Sequence, residues 1–516
     1  MEASRNLGDP IRSSKGVGTD NVKSGESNDD VLEVGLTHSR GVGGVIPSDS
    51  QGMLGGLEGV SDHSETFRET PSAHRSAEWV ETRLRVISEM ARRDPRCKFR
   101  NLAYLLNADY LAQCFRELKP KAAPGIDGVT WRKYRKGLDE NLSNLLKRMK
   151  AMKYRPQSVK RVFIPKDKKS KRPLGIPAVE DKVVQMGMTR ILESIFECDF
   201  LDVSYGFRPG RNCHQALNAL DKMIMTQPVN YALDADIKGF FDSVDHKKLM
   251  ACLGTRVCDP KFLRLVARFL KAGVMEDGAH IEVDKGTPQG GVLSPILSNI
   301  FLHYALDAWF DRDLKPKLRG YAGLIRYADD FVICVQYKDD AQMILRELEA
   351  RFAECGLTLS KEKTRLLEFG RFASERSARC GEKPGTFDFL GFTHFCDKTR
   401  QGKFKVGRKT SSKKFRQKVK AIKQWLQSIR NGHPPKEWWG TLQRKLAGHY
   451  GYYGVSGNSR GIRNLHLAVV RLAFKWLNRR SQRRSFNWET YTAYMKRHPL
   501  PTPKIRHNTY TLWVSQ

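Results

Sequence analysis

The segment Leu324-Ile325-Arg326-Tyr327-Ala328-Asp329-Asp330-Phe331-Val332-Ile333 sets two adjacent acids at a bend between two apolar runs. Short apolar runs on either side of a polar break read as a hairpin with the acids at its tip. Adjacent carboxylates at the end of a strand repel each other unless a cation sits between them. The tip is therefore a candidate metal site, with an ordinary acidic turn as the plain alternative.

Working outward, a second acid cluster stands in Tyr231-Ala232-Leu233-Asp234-Ala235-Asp236-Ile237-Lys238-Gly239-Phe240-Phe241-Asp242-Ser243-Val244-Asp245-His246. Apolar residues lead into Asp236 and Gly239 breaks the run just beyond it, which puts that carboxylate at a strand's end. Asp242 and Asp245 read instead as helix-start residues, favoured by the positive end of the helix dipole. If Asp236, Asp329 and Asp330 converge, they can hold two Mg2+ ions about 4 Å apart. Such a pair activates an attacking hydroxyl and stabilises a leaving pyrophosphate.

The 516 residues carry a formal net charge of +34, and the pI is near 9.8. A surplus that large favours a polyanionic partner, nucleic acid first, over a neutral metabolite. No uninterrupted apolar run approaches the roughly 18 to 20 residues needed to cross a bilayer, and no signal pattern opens the chain. These features read as a soluble, intracellular protein. Ten cysteines are scattered singly with no Cys-x-x-Cys pair, which indicates neither a disulfide framework nor a zinc finger.

Charge locates the boundaries better than hydropathy does. Residues 1 to 75 carry 7 basic and 12 acidic residues, with Phe67 as the only aromatic, too little apolar surface to fold. Residues 401 to 516 carry 26 basic and 2 acidic residues. Between these ends the pattern mixes helices near 78–92, 136–151 and 179–197 with strands over 158–165, 231–237 and 324–335, an α+β reading. From 413 on, Phe415, Val419, Ile422, Trp425, Leu426 and Ile429 fall on one helical face, and further helices are expected near 436–447 and 462–480. Most tail aromatics read as core of a basic bundle. Arg479, Arg480, Arg483 and Arg484 crowd one helix end, a density that phosphates would neutralise, so they are the candidate RNA-binding residues.

The acid clusters stand in the order and with the neighbours of the reverse-transcriptase palm. Asp236 with Phe241 resembles its motif A and Tyr327 to Asp330 its motif C. Between them Gly286-Thr-Pro-Gln289-Gly-Gly-Val-Leu-Ser-Pro295-Ile-Leu-Ser-Asn299 is similar to motif B, whose glycines let backbone approach template and nucleotide. More of the chain resembles one subfamily, the group II intron-encoded reverse transcriptase and maturase. The blocks are Pro124-Gly-Ile-Asp127-Gly-Val-Thr130, Ile164 to Pro177, Tyr205-Gly-Phe-Arg208-Pro-Gly-Arg211, Leu359 to Arg365, Phe389-Leu-Gly-Phe392, Leu477 to Gln482 and Pro501-Thr-Pro503.

That resemblance implies a right-hand polymerase. Fingers and palm would span 76–400, a helical thumb or maturase domain 401–480, and a basic extension suited to DNA 481–516, after a disordered 1–75. It implies two Mg2+ ions on Asp236, Ile237, Asp329 and Asp330. Around the incoming deoxynucleoside triphosphate it places Lys166 and Arg172 on the phosphates, Phe241 against the sugar's 2′ position, Gln289 beside the nascent base pair and Lys363 near the leaving pyrophosphate. The expected partners are a group II intron RNA, an RNA template and a DNA primer or target, with no membrane. The expected setting is the bacterial cytoplasm, with action at the nucleoid. No Cys-pair and His-Asn-His nuclease domain is met, so second-strand cleavage is not expected from this sequence alone. The rivals are another bacterial reverse transcriptase, of diversity-generating, CRISPR-linked or retron type, which the maturase-like tail disfavours, and a splicing factor without polymerase activity, which the intact Tyr-Ala-Asp-Asp disfavours.

Overall fold

The computed structural model describes residues 77–165, 171–276, 279–281, 284–379, 381–480 and 485–508. All of them fall within one contact unit, residues 72–516. The N-terminal stretch expected to be disordered lies outside the described residues.

Helices α1 (Ala77–Arg93), α2 (Ala108–Glu117), α3 (Trp131–Lys136) and α4 (Leu138–Lys150) come first. The helix expected over 136–151 is α4, and a short helix, α3, precedes it across Gly137. Strands β1 (Val159–Pro165) and β2 (Lys171–Ile176) form a hairpin, followed by α5 (Val179–Phe196) and α6 (Cys213–Thr226). Helix α5 has no exposed residue along its length and runs through the core rather than over it. Then come β3 (Tyr231–Asp236), α7 (Phe240–Ser243), α8 (His246–Gly254), α9 (Pro260–Leu270), β4 (Val274–Glu276) and β5 (Ala279–Ile281). Asp245 caps α8 by accepting from Lys248 N–H at 3.0 Å, the helix-start role expected of it.

Helix α10 (Ser294–Leu302) runs on through two π-helical turns, His303–Asp307 and Phe310–Leu314. The expected hairpin follows as β6 (Ala322–Tyr327) and β7 (Asp330–Val335), then α11 (Lys338–Cys355), β8 (Arg365–Glu368) and α12 (Ala373–Arg379). Three more strands, β9 (Phe387–Phe389), β10 (Phe392–Lys398) and β11 (Phe404–Thr410), precede α13 (Ser412–Ile429), α14 (Pro435–Tyr453), α15 (Ser459–Leu477) and α16 (Trp488–Arg497). The expected boundary at 400/401 falls inside the β10–β11 hairpin. Charge rises there before the fold changes, and the helices begin at Ser412.

The strands make three sheets, ordered β2-β1-β4-β5, β6-β7-β3-β8 and β11-β10-β9. The largest apolar core joins α1, α2, α5, α8, α9 and α10 to the central β6-β7-β3-β8 sheet. A second lies between α6, the other face of that sheet and β9–β11, and a third inside the C-terminal helices, centred on Leu442, Leu446, Leu465 and Val469. The architecture is mixed α/β with a helical C-terminal region.

Candidate active site

The central sheet builds the site. In the β3–β7 ladder Asp236 lies directly opposite Asp330, and β6 and β7 close with Tyr327 opposite Asp330. The turn between them is Ala328 and Asp329 alone, and Ala328 takes φ +56°, the left-handed conformation that a two-residue hairpin demands. Asp236 turns its carbonyl to the other edge, where it accepts from Ser360 N–H at 2.8 Å. Asp236 and Asp330 are therefore a narrow, non-hydrogen-bonded pair, with Cα atoms about 4.5 Å apart and both side chains on one face. Alternation adds Asp234 to that face. Lys238 N–H donates to Thr358 at 2.9 Å on the same edge as Asp236, so the intervening Ile237 carbonyl faces the β7 side.

Carboxylates crowded this way hold one another's protons. Burial lifts the Asp330 carboxyl to about 7, reinforced by Asp234, Asp329 and Asp236, while the main-chain N–H of Leu390 pulls it back down. Asp234 rises to about 6, again mainly through burial, although Arg365 pairs with it at 3.1 Å. Asp236 is held by Lys363, Nζ to Oδ2 at 2.6 Å. Among the described residues no three His, Cys, Asp or Glu side chains stand close enough together to hold a metal ion. Asp236 and Asp330 are brought together, but a three-carboxylate cage is not formed. The donors still fit a hard divalent cation: they are charged oxygens on one face, and their mutual repulsion is what such an ion relieves.

A fully buried ion pair fixes the turn from behind. Arg326 donates to both Asp307 oxygens, at 2.7 and 2.5 Å, to Asn299 Oδ1 at 3.0 Å and to the Ala328 carbonyl at 3.0 Å. Asn299 in turn donates to the Gly206 carbonyl at 2.8 Å. A Cβ on Gly206 would lie 2.3 Å from Ala328 N, so only glycine lets that loop approach the turn. The π-helical turn places Asp307 here, as such turns often do at functional positions. On the β9–β10 side, Leu390 at φ +51° accepts from Tyr452 Oη at 2.9 Å, linking α14 to the turn beside Asp330.

The glycine-rich segment packs against both neighbours. Thr287 N–H donates to the Phe241 carbonyl at 2.7 Å, and Gly286, at φ +90°, could not carry a Cβ there without meeting that same oxygen at 2.7 Å. Phe241 is half-buried, packed edge-on to Phe240. The Gln289 carbonyl accepts from Gly175 N–H at 2.5 Å, joining this segment to β2, on which Arg172 is exposed. Lys166 lies outside the described residues. The sequence reading missed Asp234, Arg326, Asp307, Asn299 and Gly206. Two signals were present: Asp234 is two residues from Asp236 on a strand, and Arg326 interrupts an apolar strand, where a charge needs a partner.

Comparison with known proteins fits this geometry. Residues 164–394 match the family described as reverse transcriptase (RNA-dependent DNA polymerase). The group II intron-encoded protein LtrA of Lactococcus lactis is 32% identical over 283 residues, covering 53% of this chain and 47% of LtrA. Protein YkfC of Escherichia coli is 33% identical over 324 residues, covering 54% of this chain and 84% of YkfC. The chain belongs to the group II intron-encoded reverse transcriptase/maturase family. It spans about half the length of LtrA. A shorter likeness, 36% over 97 residues, 18% of this chain and 13% of the relative, is to nuclear intron maturase 1, mitochondrial, of Arabidopsis thaliana.

In this member of the family the arginines singled out in the tail divide. Helix α15 ends at Leu477, so Arg479 and Arg480 lie beyond it rather than on it. Arg479 is exposed, whereas Arg480 donates from Nε to the Arg430 carbonyl at 2.8 Å and so satisfies the C-terminal end of α13. Arg483 and Arg484 lie outside the described residues. Among the described residues no helix is long and apolar enough to cross a membrane.

Proposed function

We propose that the chain is an RNA-directed DNA polymerase that also binds its group II intron RNA and assists splicing and target-primed mobility. The observation that carries this reading is the opposition of Asp236 and Asp330 across β3 and β7, with Asp329 beside them at the turn, inside the span that matches reverse transcriptases. Asp236, Asp329 and Asp330, with the Ile237 carbonyl, are the residues that would hold two Mg2+ ions. Such a pair supplies activation of a primer 3′ hydroxyl and charge neutralisation at a departing pyrophosphate.

The chain's own residues orient the substrate. Arg172 and Lys166 bind the triphosphate, Arg through a planar fork and Lys as a mobile charge. Phe241 stands against the sugar's 2′ position and excludes ribonucleotides by clash. Gln289 lines the pocket under the nascent base pair. Lys363, released from Asp236, donates a proton toward the leaving pyrophosphate. Residues 76–400 serve as fingers and palm, the helices from Ser412 to about 480 as thumb and maturase domain, and the basic residues beyond as a surface for DNA. The setting is the bacterial cytoplasm, with the nucleoid as target.

The splicing half of the reading is supported by the charge of residues 401–516 and by the likeness to LtrA and to an intron maturase. Incubating the protein with an RNA template annealed to a DNA primer, Mg2+ and the four deoxynucleotides tests the polymerase half. Primer extension is expected, and a protein that binds the duplex without extending it would overturn the assignment. Sequencing the RNA that co-purifies with the protein identifies the intron.

A further inference from the structure

Helix α15 buries Ile462, Leu465, Val469, Ala473 and Trp476 on one side. At 100° per residue the opposite side presents Arg460, Arg463, Leu467, Arg471 and Phe474 in a single stripe. Arg460, Arg463 and Arg471 are exposed and form no ion pair among the described residues, and Leu467 is 49% exposed. The stripe ends in a stacked pair of rings: Phe474 and Trp488 lie nearly parallel, at 15°, with centroids 4.1 Å apart. Trp488 is nonetheless 53% exposed, the most exposed of the large apolar side chains described. Phe474 covers one face of its indole and Tyr491 meets it edge-on at 5.9 Å, so the open area is the opposite face.

The backbone beneath the ring is pinned. Asn487 and Thr490 form a reciprocal capping box around Trp488 at the start of α16. Glu489, the adjacent carboxylate, complements the positive end of that helix. Burying the exposed indole face in protein would normally be the cheaper state. An open, pre-stacked indole at the end of an arginine stripe has the chemistry of a nucleobase platform: a π-face for one base and cations for the flanking phosphates.

The geometry points to a binding site on α15 and α16 for unpaired nucleotides of an RNA, with one base stacking on the free face of Trp488. The phosphates leading away from that base on the α15 side run along Arg471 and then Arg463. This inference rests on the reading that residues 401–516 bind RNA, carries that RNA surface onto the start of α16 in the stretch otherwise assigned to DNA, and says which structural class of RNA is selected. A fully paired duplex offers phosphates but no free base face, so it engages the arginines alone.

The test is equilibrium binding of the full chain to a hairpin RNA with an unpaired adenosine loop carrying 2-aminopurine, and to a blunt duplex of the same length. Trp488→Ala is expected to weaken loop binding by roughly 5- to 100-fold, the range one base–aromatic stack supplies, and to leave duplex binding within about two-fold. Trp488→Phe, which keeps a ring on Phe474, is expected to retain most of the affinity and of the 2-aminopurine quenching, which also controls for local unfolding. Arg463→Glu with Arg471→Glu should weaken both RNAs and flatten the salt dependence. Loop binding and quenching by Trp488→Ala equal to those of the unaltered chain would overturn the platform while leaving RNA binding by the tail intact. If the two-arginine variant binds both RNAs as the unaltered chain does, the tail reading itself fails.

Discussion

Arg326 and Asp307 form an ion pair from which water is wholly excluded, and the same guanidinium holds the carbonyl of Ala328 in the turn that presents Asp329. A charge pair in a dry interior survives only when its remaining hydrogen bonds are satisfied, and here Asn299 and Ala328 satisfy those of Arg326. The acidic turn is thus set by a polar lock behind it as well as by the hairpin.

Breaking that lock from one side should be costly. Asp307→Ala leaves a buried guanidinium unpaired, and a loss of about 3–5 kcal/mol is expected in urea unfolding. Replacing both partners, Arg326→Met with Asp307→Leu, should recover much of that stability but not polymerase activity, because Ala328 loses its anchor. A single Asp307→Ala variant within about 1 kcal/mol of the unaltered chain would contradict the account.

The pH dependence of stability follows from Asp330. Its carboxyl is held at about 7, above its unfolded range, by burial first and by the neighbouring aspartates next. The folded chain therefore grips that proton: the contribution to stability is full below about pH 4 and is lost as pH rises through about 7. In metal-free buffer Asp330→Asn should melt roughly 2 °C higher than the unaltered chain near pH 8, and no higher near pH 4. A difference that is the same at both pH values would show that the crowding of charge on this face has been misjudged.

Phe241 leans on Phe240, and its carbonyl anchors Thr287. The backbone contact survives truncation of the ring, so Phe241→Ala should fold. It should incorporate ribonucleotides at least ten-fold more readily relative to deoxynucleotides, about the factor that 1.4 kcal/mol supplies. Unchanged discrimination in single-nucleotide extension kinetics would make the ring a packing residue only.

Splicing and polymerisation should separate. The +24 balance of residues 401–516 predicts RNA binding that weakens steeply with salt. Removing charge at Arg479, Arg483 and Arg484 should impair protein-dependent exon ligation at low Mg2+ before it affects primer extension. Arg480 is better left in place, since its side chain also closes the end of α13.

Much of the hairpin was legible because two apolar runs around Ala328 and Asp329 leave little else to build, and Asp245 announced itself as a helix cap. That Asp236 and Asp330 serve one site was expected from their motifs, but their direct opposition across β3 and β7 was not legible, since register between strands about a hundred residues apart depends on the whole sheet. The β10–β11 hairpin was hidden by lysines: Lys403, Lys405 and Lys409 look like part of a basic tail, while Val406 and Arg408 turn inward. Asp307 was invisible for a different reason. Regular helical spacing does not anticipate a π-turn, and that turn is what brings this carboxylate to Arg326.

The central claim is that the acidic face of β3 and β7 performs nucleotidyl transfer, and one measurement addresses it most directly. Primer extension on an RNA template is followed for the unaltered chain and for Asp329→Ala with Asp330→Ala, each verified by its melting transition and by binding to the same primer–template. The account predicts extension by the first and none above background by the second, with folding and binding retained. Undiminished extension by the double variant would place the chemistry elsewhere and contradict it.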